Sequence, residues 1–133
     1  MEHGKHILLV DEDPSFRFSA GIVLRNAGLR VSEAGDGEEA LRRFRDARFG
    51  RNPVDLLLAN VRTPGMSALE LIDEIRRLGD DVPFAVMTCC DEPCVSEEIR
   101  KRGCRDAIAK PFDPAEFVRR VRRALEDSSE PVC

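Results

Sequence analysis

Four short runs of this chain are apolar from end to end: Ile7–Val10 (ILLV), Leu56–Ala59 (LLLA), Phe84–Met87 (FAVM) and Ala107–Ala109 (AIA). A strand with one wet face alternates apolar and polar residues. Runs without alternation need cover on both faces, as in a parallel sheet flanked by helices. A fifth run, Leu29–Ala34 (LRVSEA), does alternate, as an edge strand would. Stretches of helical period fill the gaps. Phe16, Ala20, Val23, Leu24 and Ala27 share one face, and Gly28 supplies a stop. Asp36 with Glu39, and Ser67 with Glu70, have the spacing of capping boxes ahead of apolar helical stripes. A short helix is expected from about Pro93 to Arg102, closing at Gly103. Asp113, Pro114 and Glu116 open a last helix with the stripe Phe117, Val118, Val121, Ala124 and Leu125. Strand–helix units in succession predict a doubly wound α/β sheet. One domain over residues 1–127, with a disordered tail at 128–133, is the expected organisation.

Composition narrows the function. A chain of 133 residues, 42% hydrophobic and 35% charged, can bury a core of its own. A formal net charge of −4 gives no general attraction for nucleic acid or an anionic membrane. No apolar run approaches the roughly 20 residues that span a bilayer. The opening MEHGKHILLV leads straight into a strand without a secretory pattern, so a cytoplasmic location is expected. The five cysteines are expected as thiols, since an odd count leaves no closed disulfide set.

In doubly wound sheets the working groups collect at the carboxyl ends of the strands. Here the first strand ends in Asp11-Glu12-Asp13, the third at Asn60, the fourth at Thr88 and the fifth at Lys110-Pro111. Two acids, an amide, a hydroxyl and an ammonium should share one pocket. The sequence resembles the receiver domains of two-component response regulators over nearly its whole length. The match is carried by ILLVDEDP (Ile7–Pro14), DGEEAL (Asp36–Leu41), VDLLLANVRTPGM (Val54–Met66), VPFAVMT (Val82–Thr88) and GCRDAIAKPF (Gly103–Phe112). The resemblance implies a flavodoxin-like fold with strand order 2-1-3-4-5. It also implies an aspartate ending the third strand that takes a phosphoryl group from a histidine kinase. A Mg²⁺ ion would be held by that aspartate and an acidic pair. Carried over by position, Asp11 and Glu12 match the acidic pair, Thr88 the switch hydroxyl and Lys110 the lysine that reads phosphoryl oxygens. The acceptor position holds Asn60. Glu12 stands where the metal-ligating residue is usually Asp, Ala107 takes the aromatic switch position, and Ser67-Ala68 replace the usual Asp-Gly.

An amide oxygen is a far poorer nucleophile than a carboxylate and cannot form the same acyl phosphate. Mg²⁺ also prefers hard anionic oxygens. Asp11 and Glu12 against Lys110 make the pocket formally −1, where a third carboxylate would make it −2. At ~4 Å that missing charge forfeits about 2 kcal/mol of attraction to a divalent ion at water's dielectric, and about 8 at an effective value of 20. Weak or absent Mg²⁺ binding, and no other cofactor, is therefore expected. The added methylene of Glu12 should let its carboxylate turn toward Lys110 in a metal-free ion pair. Thr88 and Lys110 also admit a purely structural role.

The expected function is that of a receiver-like signalling domain, not an enzyme, which binds another protein instead of accepting phosphate. The partner would be a histidine kinase or an output protein. Its docking face would be built by the fourth helix, fifth strand and fifth helix, where Arg119, Arg120, Arg122 and Arg123 lie. Two other readings remain open from sequence. One is a phospho-accepting receiver carrying Asn60 as a substitution, or using a neighbouring acceptor. The other is a thiol-based redox or metal sensor, with Cys90 or Cys94 as the reactive thiol, while Cys89 and Cys104 read as small buried residues.

Overall fold

The computed structural model describes residues 4–62, 65–88, 97–110 and 113–126. Within them the chain alternates strand and helix: β1 His6–Val10, α1 Pro14–Asn26, β2 Arg30–Ala34, α2 Gly37–Phe49, β3 Leu56–Asn60, α3 Ala68–Arg77, β4 Phe84–Thr88, α4 Glu97–Lys101, β5 Ala107–Ala109 and α5 Pro114–Leu125. The strands form one parallel sheet in the order β2-β1-β3-β4-β5, the flavodoxin-like order. β1 and β4 are buried at every position and β3 at all but its last, which explains their lack of alternation. β2 and β5 are the edges and are more open.

Successive side chains of a strand point to opposite faces, so each run serves two cores. Leu8, Val10, Leu57, Ala59, Phe84 and Val86 pack with Ala40, Phe44, Leu71, Ile72 and Ile75 of α2 and α3. Ile7, Leu9, Leu56, Leu58, Ala85, Met87 and Ile108 pack with Ala20, Leu24, Phe117, Val121 and Ala124 of α1 and α5. Val118 and Leu125, expected on the α5 stripe, are only partly buried at its margin.

The caps follow the sequence with one change. Ser67 and Glu70 form a reciprocal capping box on α3. On α2, Asp36 accepts from Glu39 N at 2.8 Å, but the Glu39 carboxylate reaches past Asp36 to Gly35 N at 2.9 Å. That hydrogen bond holds the Glu39 carboxyl below its usual pKa. Asp113 caps α5 through Glu116 N at 3.1 Å. Gly37, the first residue of α2, lies so close to the next loop that a Cβ there would stand 2.5 Å from Met66 Cβ. The first part of the expected fourth helix, Cys89, Cys90, Cys94, Pro111, Phe112 and the tail lie outside the described residues.

Candidate functional site

The register brings the expected residues to one end of the sheet. Val10 pairs with Ala59, so Asp11 and Asn60, each one residue further on, leave their strands at the same level. Asn60 pairs with Met87, and Thr88 with Ala109, which places Lys110 directly beyond β5. Lys110 N donates to Thr88 O at 2.9 Å, fixing the lysine backbone to the end of β4.

Asp11 is the anchor of the site. It is 1% exposed, and its Oδ2 accepts from Lys110 Nζ at 2.5 Å. Its Oδ1 accepts from Asp13 N at 2.9 Å, an Asx turn that leads into α1, where Asp13 caps the first turn. Both carboxylate oxygens therefore face protein donors. Arg17 Nη1 donates to Asp11 O at 2.6 Å and Arg17 Nε pairs with Glu33 at 3.3 Å, tying the end of β1 to β2. Lys110 Nζ also lies 4.1 Å from the centre of the Phe16 ring, within cation–π range. Phe16 reads from sequence as a core residue of α1; the sequence carries no signal of this second role.

Glu12 does not behave as expected. Among the described residues the ion pair of Lys110 falls on Asp11, while Glu12 is exposed. The reason is geometric. Asp11 Oδ1 takes Asp13 N into an Asx turn, so the backbone bends at Glu12 and leaves its side chain exposed. Asn60 is half-buried, and its Nδ2 donates to Arg62 O two residues on, at 3.1 Å. Thr88 is buried at the mouth of β4. Ala107 is half-buried, pairs with Val86 and packs against the α2–α3 core.

This donor set does not suit a divalent ion. One buried carboxylate is engaged by an ammonium and a backbone N–H, the second acid faces solvent, and the third position offers a neutral amide. Among the described residues, no three His, Cys, Asp or Glu side chains group as a metal site requires. Cys104, the free cysteine among the described residues, is buried, and burial pushes its thiol up to about 11. It is a poor candidate for redox chemistry at neutral pH.

The sheet order and the acid–lysine pair at the carboxyl end of its strands define a flavodoxin-like domain with its site at the usual place for this topology. The family model of the response regulator receiver domain matches residues 7–122. The chain belongs to the response regulator receiver domains of two-component systems. It is 32% identical over 126 residues to the DNA-binding response regulator MtrA of Mycolicibacterium smegmatis, covering 95% of this chain and 53% of MtrA. It is 33% identical over 122 residues to the DNA-binding transcriptional regulator NtrC of Klebsiella pneumoniae, covering 92% of this chain and 25% of NtrC. The chain thus spans about half the length of the first relative and a quarter of the second. Among solved structures it superposes on the chemotaxis response regulator CheY4 of Vibrio cholerae with a TM-score of 0.79 at 26% identity, covering 91% of this chain and 98% of CheY4. Among the described residues no helix is long and apolar enough to cross a membrane.

Proposed function

We propose that this receiver domain signals without aspartyl phosphorylation, acting in the cytoplasm by binding a histidine kinase or an output protein. The observation that carries this reading is Asn60, an amide at the end of β3 with its Nδ2 engaged by Arg62 O. It offers no anionic oxygen to attack phosphorus. The arrangement of Lys110 supports the same reading, because its ammonium is already held by Asp11 at 2.5 Å. Mg²⁺ binding is weak or absent for the same reasons of charge.

The docking face is that of α4, β5 and α5, and it is braced. Arg120 holds Asp106 through a two-pronged contact at 2.7 and 2.9 Å. Arg105 caps the last turn of α5 through Ala124 O at 2.8 Å and Glu126 O at 2.6 Å. Arg102 joins the end of α4 to Asp73 of α3 at 2.7 and 3.1 Å. Outward from α5, an open groove is lined by Ala115, Val118, Arg119, Arg122, Arg123 and Glu126. Its excess of arginine fits an acidic protein segment. With a net charge of −4 overall, the domain makes no nucleic-acid contact in this reading.

The test is incubation with acetyl phosphate and Mg²⁺, followed by intact mass. No added mass is the expected result. A gain of one phosphate that is lost at alkaline pH, as an acyl phosphate is, overturns the proposal.

A further inference from the structure

Asn60 does more than lack a charge. Its Nδ2 donates to the main-chain oxygen of Arg62 at 3.1 Å, a bond that only a donor at this position can make. An aspartate would set lone pairs against the lone pairs of that carbonyl, and a cation would be needed between them. The same segment is tied down on both sides. Val61 N donates to Met87 O at 3.0 Å, and Ala68 N, opening α3, donates to Val61 O at 3.3 Å. Across the pocket, Lys110 supplies the second internal donor, held between Asp11 Oδ2 and the Phe16 ring.

We infer that Asn60 is a positioning residue: its amide N–H braces the β3–α3 connection as a built-in substitute for a bound cation, so that the pocket keeps its shape without a divalent ion. The inference rests on the reading of the site as metal-free. It adds that the amide is what keeps the connection closed, so the position is occupied by a functioning donor and not merely by an inert replacement.

The experiment is amide hydrogen exchange by NMR on the intact chain, in EDTA and in excess Mg²⁺, for wild type, Asn60→Asp and Asn60→Ala. The amides of Val61 and Ala68 report the connection, and those of Leu8 and Leu58 report the sheet. In EDTA both variants should exchange about tenfold faster at Val61 and Ala68, the ratio expected for one lost hydrogen bond. Leu8 and Leu58 should stay unchanged. Mg²⁺ should restore the slow rate in Asn60→Asp, leave Asn60→Ala fast and leave wild type unaltered. Wild-type rates at Val61 and Ala68 in Asn60→Ala would overturn the inference. So would a Mg²⁺ response in wild type equal to that of Asn60→Asp. A fast Asn60→Asp that Mg²⁺ does not slow would overturn the equivalence of amide and cation. Phosphate uptake by wild type would refute the proposed function while leaving this exchange pattern standing, so the two fail separately.

Discussion

The two ends of the sheet both bury polar groups, but they satisfy them in different ways. At the amino-terminal end, His6 is 2% exposed and meets partners 26 to 49 positions away. Its backbone N–H meets Asp55 Oδ2 at 2.7 Å, its Nδ1 faces Asn52 O at 3.0 Å and Pro53 O at 3.3 Å, and its Nε2 faces Ser32 Oγ at 2.8 Å. Two carbonyls can only accept, so Nδ1 carries a proton, while Nε2 faces a serine hydroxyl that can either donate or accept. Arg30 closes the same end through Gly4 O at 2.8 Å and through Asn52. At the carboxyl end, the principal pair joins side chains 99 positions apart, Asp11 and Lys110. The base is thus held by many contacts, largely to main-chain atoms. The pocket end depends on a few side chains meeting across strands. Distributed contacts make a scaffold; concentrated ones make a site that one substitution can change.

That contrast sets the order of expected effects. Lys110→Met keeps most of the stem but leaves Asp11 buried without its counter-charge, at a cost of about 3 kcal/mol. The value sits at the low end for buried pairs because the lysine side chain is 24% exposed. Urea unfolding at neutral pH measures it. A loss well below 1 kcal/mol would mean that Asp13 N–H alone carries the carboxylate. Next comes His6→Ala, which removes one ring from a network that retains other ties and should cost about 2 kcal/mol. It should leave the exchange rates of Val61 and Ala68 unchanged, since the two ends are independent. If this variant proves more costly than Lys110→Met, the ranking of the two ends is reversed.

The smallest effect belongs to neither end. Asp73 is held below the usual carboxylate range, chiefly by its hydrogen bond to Arg102. A depressed folded-state pKa gives stability that is present above the unfolded value of about 4 and is lost as pH falls through the lower folded value. Asp73→Asn should therefore cost under about 1 kcal/mol at neutral pH, discounted because the pair is well exposed. The difference from wild type should vanish as pH falls through the lowered folded value, as followed by thermal melts. A difference that persists there would assign the effect to shape instead of charge.

The sheet was legible because its cause is local in sequence. Runs such as Ile7–Val10 and Leu56–Ala59 carry their burial on both faces in their composition. The meeting of Asp11, Asn60, Thr88 and Lys110 was legible too, given that strand ends converge in this topology. What sequence could not reveal depends on side-chain direction. Glu12 was expected to share Lys110, but its place one residue beyond Asp11 turns it to solvent. Phe16 looked like core, and only the reach of Lys110 across to α1 makes it a ring beneath an ammonium. Asn60 showed as a missing carboxylate; that its amide has its own bond depends on the path of the chain at Arg62. At α2, Glu39 passed over Asp36 for Gly35, a choice between adjacent N–H groups that spacing alone leaves open.

The contact of Gly37 with Met66 has a mechanical meaning. An added Cβ at 37 would stand 2.5 Å from Met66 Cβ and 2.6 Å from Met66 O, so Met66 can lie this close to α2 only because residue 37 is glycine. The first turn of α2 works as a doorstop. A bulkier residue at 37 would have to displace Met66 or the start of α2.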